Sequence, residues 1–117
     1  VTASPPPPPP PPKALRLAKP KPLERDIEGP VCAYARAKGF YVRKFVSPAH
    51  RSVPDRLLVS PGGVVFFIEF KRPGGKATPE QLREHTKIKT YGLDVFVIDD
   101  IIVGKSIVDG YSDFQTE

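Results

Sequence analysis

Apolar residues recur along this chain in two rhythms, and the switches between them lay out its elements. From Glu24 to Lys38 the spacing is helical: Ile27, Val31, Tyr34 and Ala35 stand at i, i+4, i+7 and i+8, and Gly39 ends the run. Gly29-Pro30 interrupts that pattern. Proline lacks an amide donor and crowds the preceding turn, so a kink, or a regular helix that begins only near Pro30, is expected. Phe40 to Val46 reads as a first strand and Ser47 to Pro54 as a polar loop. Residues 56–59 and 64–71 are strongly apolar and flank Ser60-Pro61-Gly62-Gly63, which predicts an antiparallel hairpin. Thr78-Pro79-Glu80-Gln81 opens a second helix, with threonine to cap, proline at the first helical position and glutamine placed to complete a capping box. That helix runs to about Tyr91 and stops at Gly92. Asp94 to Ile98 is a further strand, and Asp99 or Asp100 caps a last helix from Ile101 to Asp109 that Gly110 ends. The order α-β-β-β-α-β-α, without internal repeat, predicts an α/β fold with a mixed sheet flanked by helices.

Two charged residues do not belong to the apolar rhythm they close. Val64-Val65-Phe66-Phe67-Ile68 runs into Glu69-Phe70-Lys71. On a strand, residues i and i+2 share a face, so Glu69 and Lys71 project together while Phe70 points into the core. A lone buried carboxylate costs several kcal/mol unless it is paired or metal-bound. Thirteen residues separate Pro54-Asp55, at the start of the neighbouring strand, from Glu69. Two carboxylates brought together can hold a hard divalent cation, and a lysine beside them can act on its water. That is the minimum equipment for metal-assisted phosphodiester hydrolysis.

Composition narrows the picture. A chain of 117 residues makes one small domain. Residues 1–22, with the unbroken run Pro5 to Pro12, cannot build a core and are expected to form an extended, basic, flexible tail ahead of a folding unit over 23–117. Of the net charge of +5, the tail supplies Lys13, Arg16, Lys19 and Lys21 with no acid. Within the folding unit, residues 36–89 hold twelve Lys or Arg against four acids, and residues 90–117 hold one Lys against six. The basic stretch contains the candidate site, which suits a polyanion. The single cysteine, Cys32, allows no disulfide framework and is expected to pack as a small buried hydrophobe. No apolar stretch approaches a membrane span, and no signal-peptide pattern is present, so a cytoplasmic protein with no membrane partner is expected.

Val53-Pro54-Asp55-Arg56, Phe67-Ile68-Glu69-Phe70-Lys71-Arg72-Pro73-Gly74 and Thr78-Pro79-Glu80-Gln81 together resemble the PD-(D/E)XK nuclease superfamily, and more closely its VRR-NUC family, over about Glu24 to Gly110. The resemblance implies a restriction-endonuclease-like core and a further acid on the first helix. Glu28 and Glu24, one turn apart on one face, compete for that place, and Glu28 is preferred for its distance from Gly39. It implies that Glu28, Asp55, Glu69 and the Phe70 carbonyl hold Mg²⁺ or Mn²⁺, with Lys71 acting on the attacking water and Gln81 lining the site. Lys44, Arg51, Arg56, Arg72 and Lys76 are the candidates for DNA-backbone contacts. His50, in the basic loop, would touch DNA, and His85 is expected to face out of its helix; neither is given a catalytic role.

The function so implied is a metal-dependent DNA endonuclease without a small-molecule cofactor. Stand-alone domains of this kind look like homodimeric resolvases of four-way (Holliday) junctions in repair and recombination, since a two-fold pair can cut two strands symmetrically. The rival readings are a non-cleaving nucleic-acid-binding module of the same fold, a flap or nick nuclease, and an interaction protein whose proline tract docks to a partner. Intact Asp55, Glu69 and Lys71 argue against the first.

Overall fold

A computed structural model of the chain describes residues 4–9 and 22–112. Most of the expected tail, and residues 113–117, lie outside the described residues; Pro5 to Pro9 are exposed and belong to no helix or strand. The described elements follow the order α1 (Glu24–Ala37), β1 (Tyr41–Lys44), β2 (Arg56–Val59), β3 (Val65–Phe70), α2 (Pro79–Thr90), β4 (Asp94–Ile98) and α3 (Ile101–Ser112). The strands form one sheet in the order β1-β2-β3-β4. The first two pairings are antiparallel and β3–β4 is parallel, so the sheet is mixed, as expected.

Local chemistry accounts for each element. Helix α1 starts at Glu24 because Asp26 folds back: its carboxylate accepts the Leu23 N–H at 2.8 Å while its own N–H reaches the Leu23 carbonyl at 2.9 Å. It then runs through Pro30, which corrects the alternative of a regular helix beginning only there. Gly29 eases the fit: part of the clash that proline imposes on its predecessor falls on that residue's Cβ, and glycine has none. The β2–β3 hairpin closes through Gly63, whose φ of +85° is open to glycine, with its N–H on the Ser60 carbonyl at 2.8 Å. Thr78 and Gln81 form the expected capping box on α2.

Strand alternation splits β3 between two layers. Phe66, Ile68 and Phe70 turn to one face and pack in a core with Ile27, Val31 and Ala35 of α1 and Val108 of α3. Each such buried side chain stabilises the fold by about 1.5–3 kcal/mol. Cys32 is buried among them, as expected. The opposite face carries Phe67 and Glu69 and is covered by α2. The last helix does not stop at Gly110. Tyr111 stacks on Phe66 with ring centroids 4.0 Å apart and donates its hydroxyl to Asp94, so burial extends the helix past the glycine. No helix among the described residues is long and apolar enough to cross a membrane.

Helices α1 and α3 meet at Gly104, where an added Cβ would lie 2.6 Å from Val31 Cγ2, whereas at Gly110 it would meet nothing within 4 Å. Replacing a mid-helix glycine by alanine gains about 1 kcal/mol of helix propensity. Overpacking a rigid, buried valine costs about 1–3 kcal/mol. Gly104→Ala should therefore lower the urea midpoint and Gly110→Ala should raise it; equal effects would show that the two helices part without penalty.

Candidate active site

The site grows from the register of the sheet. Strand β2 pairs with β3 so that its ladder ends with Arg56 facing Ile68, and Asp55, just before β2, falls opposite Glu69 when that register is carried one step further. Directly opposed side chains lie on one face, which brings the two carboxylates together. Asp55 is held in place: its Oδ2 accepts the Phe70 N–H at 2.8 Å and its carbonyl accepts the Phe45 N–H at 2.9 Å. Glu69 is 2% exposed. Phe70 points into the core and Lys71 is half-buried.

The acid that α1 contributes to this cluster is Glu24. Carboxylate oxygens of Glu24, Asp55 and Glu69 lie within 4.8 Å of one another. Glu28, the preferred candidate from sequence, is outside the cluster and is paired with Arg56, with both side chains largely shielded. That pairing also takes Arg56 out of the set of free cations near the site. The sequence held a usable signal: Asp26 can accept the Leu23 N–H only if the helix begins at Glu24, which places Glu24 at the cluster end of α1.

Electrostatic strain is concentrated on Glu69. Burial, then a hydrogen bond and like charge from Asp55, push its carboxyl up to about 9; Lys71 partly opposes and Glu24 adds to the rise. Burial, followed by the charge of Asp55, also raises Glu24, again with Lys71 opposing. The donors are all carboxylate oxygens, which suits a hard divalent cation such as Mg²⁺ or Mn²⁺, and a cation would relieve the crowding that raises these groups.

His85 overturns its sequence expectation. It is 2% exposed, and Nε2 lies 3.5 Å from Glu69 Oε1. Burial, then the charge of Lys89, pushes its imidazole below the usual histidine range. The sequence held only a faint hint: His85 stands one helical turn after Gln81 and three residues before half-buried Ile88, on one face of α2. Gln81 itself is engaged in the cap, its side-chain oxygen accepting the Thr78 N–H at 2.9 Å.

A cleft of 550 Å³ opens beside the acids, lined by Glu24, Lys71, Arg72, Gly75 and Lys76 among others. The loop after β3 forms its rim. Gly74 adopts φ +80° and donates its N–H to Asp99 at 3.0 Å, and an added Cβ at Gly75 would come within 2.9 Å of the Arg72 carbonyl oxygen. Arg72 and Lys76 are exposed on this rim, whereas Lys44, His50 and Arg51 are exposed at the end of β1 and in the loop that follows.

No protein-family model matches the chain. A phage protein from Acyrthosiphon pisum secondary endosymbiont phage 1, described as "Putative nuclease p44", is 46% identical over 76 residues, spanning 65% of this chain and 82% of that protein. A solved structure described as a VRR_NUC domain is 35% identical and superposes with a TM-score of 0.62, covering 72% of this chain and 96% of its own. The likeness spans almost all of that domain, so the chain belongs to the VRR-NUC nuclease family.

Proposed function

We propose that the protein is a divalent-metal-dependent DNA endonuclease that works as a homodimer inside the cell and prefers four-way junctions. The observation that carries the reading is the convergence of Glu24, Asp55 and Glu69 within 4.8 Å, beside Lys71 in a basic-rimmed cleft. Glu24, Asp55, Glu69 and the Phe70 carbonyl would hold Mg²⁺ or Mn²⁺. When bound, the ion supplies Lewis-acid polarisation of the scissile phosphate and acidifies a water. Lys71 orients the attacking water and offsets charge building on the phosphate oxygens. Arg72 and Lys76 on the rim take the flanking phosphates, with Lys44 and Arg51 further along the backbone path. Gln81 lines the site while capping α2. Arg56 serves the fold instead, by strapping Glu28 of α1 to β2.

The homodimer reading draws support from the far edge of the sheet. Strand β4 pairs only with β3 among the described strands, and Val97, Ile102 and Val103 beside it are exposed. An uncovered edge and an apolar helix face favour a second copy. Two sites related by a two-fold could then address two strands of one junction. The basic proline-rich residues 1–22 would add phosphate affinity without entering the core.

Three outcomes follow. Glu69→Ala and Lys71→Ala should abolish cleavage of labelled DNA while gel-shift affinity survives. Glu24→Ala should lower cleavage by at least the ~10–100-fold seen for the outer partners of metal sites. Glu28→Ala should spare the acid cluster and instead destabilise the fold by about 1–3 kcal/mol through an unpaired Arg56. Wild-type cleavage by folded Glu69→Ala would overturn the assignment.

The second outcome concerns pH. Folding raises the Glu69 carboxyl from 4.5 to about 9, so the metal-free folded state binds the proton more tightly than the unfolded chain. This contribution to stability is fully present below 4.5 and is lost as pH rises through about 9. Metal-free melting temperature should fall across that window relative to Glu69→Gln. Stabilisation by Mg²⁺ should grow with pH, because binding displaces the proton. A parallel pH profile for wild type and Glu69→Gln would count against the site.

The third separates substrates. A panel of junction, flap, nicked duplex and single strand, digested with and without Mg²⁺, should show the junction cut fastest, and mass measurement in solution should give a dimer. A persistent monomer that cuts flaps fastest would replace this substrate assignment with a flap nuclease.

A further inference from the structure

Two buried side-chain polar atoms among the described residues lack a hydrogen-bond partner, Glu69 Oε1 and His85 Nε2. They face each other at 3.5 Å, with side chains 2% and 3% exposed. Buried polar atoms left unpaired are destabilising, and a phenylalanine or leucine at 85 would fill the space with no orphan of its own. The imidazole nitrogen is not part of the carboxylate cluster of Glu24, Asp55 and Glu69. It lies against one of its members, on α2, the element packed over that side of β3.

We propose that His85 is a positioning residue for Glu69: its Nε2–H donates to Oε1 and so fixes how the other oxygen is presented to Asp55 and Glu24. The inference rests on the metal-dependent reading above. The role needs only the neutral imidazole with its proton on Nε2, so it asks for no second buried charge. A 3.5 Å separation is too long for a good hydrogen bond and closes with a small side-chain rotation. The contact then satisfies both orphaned atoms. Outer partners of this kind orient ligands in metal sites, and their loss lowers metal affinity by about 10–100-fold.

The test uses the full chain and three proteins: wild type, His85→Phe, which fills the space without a donor, and His85→Gln, which keeps an N–H donor. Calorimetric titration with Mn²⁺ should show affinity reduced about tenfold or more in His85→Phe and largely recovered in His85→Gln. Thermal unfolding in EDTA should leave His85→Phe at or above wild type, since an orphaned polar atom is gone. Cleavage should lose kcat with little change in KM for DNA. On wild type itself, imidazole ¹⁵N shifts in saturating Mg²⁺ should report the proton on Nε2, a readout that survives any failure of a variant to fold. Wild-type Mn²⁺ affinity in His85→Phe, equal loss in both variants, or a proton on Nδ1 alone would overturn the positioning role and leave the nuclease reading intact. A wild-type protein that binds no Mn²⁺ and cuts in EDTA would overturn both.

Discussion

Strand β3 carries a carboxylate where its neighbours require an apolar interior, and much of the molecule is arranged around that conflict. Phe66, Phe67, Ile68 and Phe70 are all buried, and Glu69 among them is 2% exposed. An isolated ionised carboxylate in such a place costs several kcal/mol. The fold does not dilute the problem by separating charges. It sets Asp55 close by, at the residue before β2, pins it with the Phe70 N–H, and brings Glu24 in from the start of α1. The metal-free protein meets the conflict by holding a proton on Glu69, which a bound cation would displace.

Topology decides which elements surround that carboxylate. The β3–β4 pairing is parallel, so the chain must leave one end of the sheet and return to the other through a crossover. That crossover is the loop after Lys71 followed by α2. It delivers Arg72 and Lys76 to the cleft rim and His85 to Glu69. Strand alternation does the rest, sending Phe66, Ile68 and Phe70 to α1 and α3 while Glu69 faces α2. The same requirement that closes the sheet thus encloses the site, and Asp99 at the end of β4 fastens the loop through the Gly74 N–H.

What the sequence made legible was what depends on near neighbours. The limits of β4 and the capping box of α2 were readable because hydrophobic alternation and a Thr-Pro-x-Gln start act within a few residues. The pairing of Asp55 with Glu69 needed only the hairpin turn to fix a register. Three features depended on partners distant in the chain and were misread. Gly110 looks like a helix stop until Tyr111 finds Phe66 and Asp94. His85 looks solvent-facing on a helix with few apolar residues until the sheet packs against it. Glu28 looks as suitable as Glu24 until Arg56, on a strand far along the chain, claims it.

Glu24 and Glu28 show how one helix places one acid in a carboxylate cluster and the other in an ion pair. Glu28 straps α1 to β2, which fixes the helix and therefore the position of Glu24 one turn earlier. At the first residue of α1, Glu24 also sits at the positive end of the helix dipole, a favourable interaction of about 0.3–1 kcal/mol. That is too little to settle the cluster. Full charges at the 4.8 Å limit of this trio repel by about 3–4 kcal/mol per pair at the effective dielectric of a protein surface. Burial first, and then the charge of Asp55, raise the affinity of Glu24 for its proton despite the dipole and nearby Lys71. A single lysine charge offsets only part of three converging carboxylates, whereas a doubly charged ion among them contributes attraction to each at once. The arrangement is therefore poised for a divalent cation by its own unresolved repulsion.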